Sequence, residues 1–236
     1  MAIAFVTSSF LTSTGTASPI TVTTSYAAGD LIVIVVGVND SATATSNSVT
    51  DNAGVGTQYF KAIGTSNTSR AVVAIWYGIA VAAATSKVVS AAFTGARASM
   101  GLARYTGFAA LGDNTTGALS TANPTITLAT EDANDFIIAG FANQGTGTYS
   151  ALASNGNFRG TSASAGTTTT GINVGLVDNT NASATNVTCG ATHTATTGCQ
   201  AAFDLRLSIP PTEMQSASDQ FGQTDPRSNP VEIVGY

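Results

Sequence analysis

The run Leu31-Ile32-Val33-Ile34-Val35-Val36-Gly37-Val38 constrains this chain more than any other feature. It is far too short for a membrane helix, and its β-branched side chains favour the pleated backbone of a strand. A half-exposed strand alternates apolar and polar residues, so an unbroken apolar run implies a central strand covered on both faces. A second such run, Phe136-Ile137-Ile138-Ala139-Gly140-Phe141, follows about a hundred residues later. The most apolar stretch, Ala71 to Ala84, is also shorter than the ~20 residues a spanning helix needs and reads as a buried strand.

Further strand signals surround these runs, each bounded by Gly, Asn, Asp, Ser or Pro. They lie at Ile20 to Thr24, Gln58 to Ile63, Lys87 to Phe93, Ala98 to Tyr105, Thr125 to Ala129, Asn157 to Thr161, Thr169 to Val177, Thr185 to Cys189 and Ala201 to Ile209. No segment sustains a helical period with caps. The expected fold is all-β, a two-layer antiparallel β-sandwich. Trp76, Phe60 and Tyr77 are expected to anchor its core.

The two series of strands match in order. Pro19-Ile20-Thr21-Val22 answers Pro124-Thr125-Ile126-Thr127, Asp30-Leu31 answers Asp135-Phe136, and Tyr59-Phe60-Lys61 answers Asn157-Phe158-Arg159. Val88-Val89-Ser90 answers Asn186-Val187-Thr188, and Leu102-Ala103-Arg104-Tyr105 answers Asp204-Leu205-Arg206-Leu207. This pattern predicts an internal duplication within one domain, 1–209, with halves of about 1–108 and 109–209. Two halves that each supply strands to both sheets would build one jelly-roll-like sandwich. Asp30 and Asp135, each placed just before an apolar strand, read as turn-closing carboxylates.

At Pro210-Pro211 the character changes, and 210–236 reads as an extended, polar C-terminal arm. Its one apolar cluster makes Val231, Ile233, Val234 and Tyr236 the candidate assembly contacts, through an added edge strand or a filled groove.

Charged residues make up only 9% of the 236, whereas Thr and Ser together supply roughly a quarter, so hydroxyls must dress the surface. The net charge is -5 and no basic run occurs, which argues against nucleic acid as a partner. Met1 to Phe10 carries no Lys or Arg and does not read as a signal peptide. The two cysteines, Cys189 and Cys199, flank a Gly/Thr-rich loop; they suit either a staple across a hairpin or two reduced thiols. Zinc is disfavoured, because His193 is the sole histidine and cannot complete a four-ligand set with two thiols.

There is no Gly-x-Ser-x-Gly elbow, phosphate-binding loop, dinucleotide fingerprint or His-Glu-x-x-His motif. The acid-rich turns Glu131 to Asp135 and Thr50 to Asn52 lack the spacing of calcium loops. A non-enzymatic chain without cofactors or metals is the expectation.

The segments Ala28-Gly29-Asp30-Leu31-Ile32-Val33, Val49-Thr50-Asp51-Asn52-Ala53-Gly54, Ala74-Ile75-Trp76-Tyr77 and Ala103-Arg104-Tyr105-Thr106-Gly107 resemble β-sandwich modules of tailed-phage virion proteins and some bacterial surface proteins. The resemblance covers Ala2 to about Phe108 best; the second half departs from it at Asp204-Leu205-Arg206. It brings no catalytic residues. It implies a capsid decoration (cement) protein, made in the host cytoplasm and placed on the capsid exterior, with the major capsid protein and its own copies, taken as a trimer, as partners. A tail or fibre component, or a glycan-binding adhesin-like module, is the alternative.

Overall fold

The computed structural model describes residues 2–11, 16–39, 44–52, 58–66, 71–119, 121–162, 171–180, 185–194 and 197–206. The arm at 210–236 lies outside them, as do Val231, Ile233, Val234 and Tyr236. Within the described residues the chain is all-β, and every strand pairing is antiparallel.

The first half comprises β1 (Ala4–Phe10), β2 (Ile20–Tyr26), β3 (Leu31–Asn39), β4 (Thr45–Asp51), β5 (Tyr59–Ser66), β6 (Ala71–Ile79), β7 (Ala84–Thr94) and β8 (Arg97–Thr106). The second comprises β9 (Ala110–Leu119), β10 (Thr125–Ala129), β11 (Phe136–Gln144), β12 (Ser150–Ala151), β13 (Asn157–Thr161), β14 (Ile172–Thr180), β15 (Asn186–Thr192) and β16 (Gly198–Arg206). In the first half the sheets run β1-β8-β3-β6-β5 and β2-β7-β4; in the second, β9-β16-β11-β14-β13 and β10-β15-β12. Strand for strand, the two orders are the same. Each half therefore builds its own jelly-roll-like sandwich from a large and a small sheet, instead of lending strands to a shared pair.

The large sheets pack on each other, so four sheets stack in the order small, large, large, small. Three apolar layers fill the gaps. Val33 and Val35 of β3 face the second half with Ile138, Val174 and Phe203, whereas Ile32, Ile34 and Val36 face the small sheet of their own half with Val22, Val89 and Met100. Ile137, Ala139 and Phe141 of β11 face Ile126, Leu128 and Val187 in the same way. Covering on both faces is what an unbroken apolar run needs, and β3 is buried along its whole length. Each such side chain contributes about 1.5–3 kcal/mol relative to exposure.

The halves meet about an approximate two-fold axis: β8 lies against β14 as β16 lies against β6, and β3 lies against β14 as β11 lies against β6. Small residues let the central strands approach. A Cβ on Gly37 would sit 2.6 Å from Val174 Cγ1, and one on Gly140 would sit 2.9 Å from Val35 Cγ1.

The register corrects the residue-by-residue matching of the halves. Leu31 pairs with Tyr105 and Phe136 pairs with Leu205, so Tyr105 is equivalent to Leu205, and Arg104 to Asp204, not to Arg206. Likewise Ile20 and Val22 face inward on β2, but on β10 it is Ile126 and Leu128 that do so, one position away from the sequence match. A slip of one residue turns every side chain to the other face of a strand. Phe60 shows the result: equivalent to Asn157 and not Phe158, it is 53% exposed beside Tyr77, with ring centroids 5.8 Å apart. Trp76 is buried as expected, its indole N–H donating to Ser46 Oγ at 2.9 Å.

Candidate functional site

The turn carboxylates act as expected. Asp30 Oδ2 accepts the Ala27 N–H at 2.7 Å and Asp135 Oδ2 accepts the Asp132 N–H at 3.1 Å, closing the turns that launch β3 and β11. Asp30 is also held by Arg104, whose Nε donates to it at 3.0 Å. Asp51 accepts the Tyr26 hydroxyl at 2.8 Å, and Asn52 Oδ1 accepts the Val88 N–H at 3.0 Å. Asp51 at the end of β4 and Asn52 just beyond it thus tie β4 to β2 and β7. Among the described residues, no group of three or more His, Cys, Asp or Glu side chains is placed to hold a metal ion.

A polar network bridges the two halves at one end of their shared layer. Asp178, on β14, is fully buried and accepts the Tyr105 hydroxyl at 3.0 Å, Arg159 Nη2 at 2.8 Å and Asn157 Nδ2 at 3.2 Å. Arg159 Nε also donates to it, and the guanidinium lies over the Phe5 ring, 4.0 Å from its centroid. Burial, and then the neighbouring Asp178 carboxylate, push the Tyr105 phenol above its usual range. Ser8 Oγ donates to Arg159 O at 2.7 Å, and Ser99 and Ser162 join hydroxyl to hydroxyl. Tyr105, Asn157 and Arg159 neutralise and satisfy the buried Asp178 carboxylate, which is what a rigid junction needs, while the Ser99–Ser162 contact ties the halves together farther along the strands. The equivalent place across the two-fold axis holds Tyr77 and Leu205, so the buried carboxylate of Asp178 has no counterpart there.

A second charged cluster lies where β16 ends. Arg206, almost buried, contacts Glu131 at 3.0 Å, Asp204 at 3.4 Å and Asp113 at 4.0 Å. Asp204 has no exposed surface; burial raises its pKa to about 6 against the lowering pull of Arg206, with Asp135 and Asp113 adding to the rise. Glu131 is thereby committed to Arg206 and Asp135 to its turn.

Cys189 and Cys199 are both buried, free thiols. Cys189 belongs to the layer between β10-β15-β12 and the large sheet, and Cys199 to the layer between the two large sheets. The staple read from their spacing is not formed, because the large sheet's own backbone lies between the two sulfur atoms. His193 is buried, with Nδ1 2.9 Å from Asn143 Nδ2 and its ring 4.5 Å from that of Tyr149.

Gln200 carries no motif or pattern that singles it out, yet it lines a shallow cleft with Ala118, Leu119, Thr121, Pro124 and Thr125, between the end of β9, the start of β10 and β16. Its Nε2 donates to Thr125 O at 2.9 Å, tying the large sheet to the small one, and among the described residues its buried Oε1 meets no donor. Gln200 pairs with Phe141 as Met100 pairs with Val36, so the first half has a fully buried Met where the second has this amide. That exchange could have been noticed only with the strand register known.

Comparison of the chain with family models, with curated proteins and with solved structures finds no match.

Proposed function

We propose that the chain is a non-enzymatic structural protein of a virion, a capsid decoration (cement) protein that stabilises a shell by bridging neighbouring subunits. The observation that carries this reading is the four-sheet stack. Its two small sheets, β2-β7-β4 and β10-β15-β12, sit at opposite ends of a buried block and turn hydroxyl-bearing faces outward, with Thr21 and Thr23 exposed on one and Thr125 and Thr127 on the other. A rigid block with two related outer faces is suited to touching two neighbours at once, and repetition over a lattice multiplies modest contacts. Segment 210–236, with Val231, Ile233, Val234 and Tyr236, is the proposed second contact, to the major capsid protein or to another copy of the chain.

The test is quantitative mass spectrometry of purified particles, with and without residues 212–236. Head-bound chain in fixed ratio to the shell protein, lost on the deletion and accompanied by rupture at lower temperature, supports the reading. Absence from any particle overturns it, and recovery with tails would reassign the chain to a tail or fibre.

A further inference from the structure

We infer that Leu207 and Ile209, the first apolar residues beyond β16, cover an exposed cluster of Phe60, Tyr77 and Ile79 and so anchor the root of the C-terminal segment on the first half. The argument starts from what the two halves do differently at one place in the same fold. In the second half that place holds Asn157, Asp178 and Thr180, all polar, with Asp178 bonded to Tyr105 across the junction. In the first half the equivalent positions hold Phe60, Tyr77 and Ile79. Tyr77 packs partly against the apolar layer between the halves, with the exposed Phe60 beside it on the edge strand β5 and the exposed Ile79 two residues farther along β6, on the same face. Single exposed apolar side chains are ordinary, whereas a contiguous group of them marks a contact surface.

The occupant follows from where the chain goes next. Leu205 belongs to the layer against which Tyr77 packs, and across the two-fold axis it stands to Tyr77 as Tyr105 stands to Asp178. Leu207 and Ile209, which lie outside the described residues, follow it at intervals of two, the spacing that keeps side chains on one face of a strand. Two residues of strand advance about 7 Å, so Leu207 starts within reach of the cluster. After Tyr105 the same two positions hold Gly107 and Ala109, so large apolar side chains occur only where the junction end is apolar. Pro210 and Pro211 carry no N–H and end the ladder there. A second copy would have to find this surface from solution, whereas Leu207 is tethered beside it.

This contact does not depend on the virion reading, and its test uses the isolated full chain. Replacing Leu207 and Ile209 together by Ser should lower the thermal midpoint by several degrees and raise the fluorescence of the dye ANS several-fold, as the cluster is uncovered. In a Phe60→Ser background, at an exposed position that the fold does not need, the same pair of changes should cost much less. A chain carrying Ile79→Cys and Ile209→Cys should be joined within one molecule by a bifunctional maleimide, because the native Cys189 and Cys199 are buried. An unchanged midpoint in the Leu207 and Ile209 variant, an equal loss with and without Phe60, or a cross-link that is absent would overturn the inference. So would a cross-link between two chains, which would assign the cluster to a second copy.

Discussion

The Tyr105 hydroxyl and the Asp178 carboxylate, 3.0 Å apart, belong to opposite halves of the chain and are both fully buried. Asp178 depends on Arg159 for its charge balance, so Arg159→Leu strands a buried carboxylate and should cost about 3–5 kcal/mol. Tyr105→Phe removes one hydrogen bond to a charged group and should cost about 1.5–3 kcal/mol. Replacing Arg159 and Asp178 together by Leu should restore much of the loss. Urea denaturation of the four proteins measures all three differences.

Phe10 couples the halves by shape. A Cβ on Gly101 would fall 2.1 Å from its Cε1, and one on Gly160 would fall 2.4 Å from its Cε2, so the ring is seated on a bare backbone from each half. Gly101→Ala should destabilise by about 1–3 kcal/mol through overpacking. In a Phe10→Ala background the same change should cost much less, a non-additivity that denaturation midpoints reveal. Gly160→Ala should stay costly in both backgrounds, because its φ of +146° strains any L side chain.

Asp204 should give the fold an unusual pH response. Its folded-state pKa of about 6 lies above the ordinary carboxyl value near ~4, so between these limits the folded chain binds more protons than the unfolded one. The charged groups facing it are Arg206 on its own strand, Asp113 on β9 and Asp135 before β11. Stability from this group is therefore greatest below about pH 4 and falls by roughly 2–3 kcal/mol as pH rises from there through about 6. Asp204→Asn should flatten that slope in denaturation curves taken from pH 4 to 7.

The thiols should be silent in the native state. Burial raises the pKa of both Cys189 and Cys199 and removes them from solvent. Ellman's reagent at pH 8 should label neither in the folded chain and both in guanidinium, and ready native labelling would contradict the layered core.

The central strands were legible because their sequence states their environment: β3, β6 and β11 are covered on both sides, and an apolar run has no other stable setting. What escaped were β1, β4, β9 and β12. Segments such as Thr45–Asp51 (TSNSVTD) and Ala110–Leu119 (ALGDNTTGAL) are half exposed and borrow their conformation from the neighbour they pair with, β7 and β16. Duplication was readable as an order of elements, but its register was not, since Thr/Ala-rich strands match nearly as well one residue out of step. That slip hid the Met100-to-Gln200 exchange, and Phe60, expected in the core for its aromatic ring, is exposed on the edge strand β5. Of the candidate site residues, the turn carboxylates followed from local chemistry. The Asp178 network did not, because Tyr105 and Arg159 meet it only through the packing of distant strands.

The stacking of the two large sheets has a consequence for concentration. A half ending at Thr106, or one beginning at Ala110, would expose a five-stranded apolar face that only another such face could cover. Alone, either would be stable only as part of a pair, and dilution would undo it. The short link between β8 and β9 makes that encounter intramolecular, so the pairing of the halves holds at any dilution, including the single copy that leaves the ribosome.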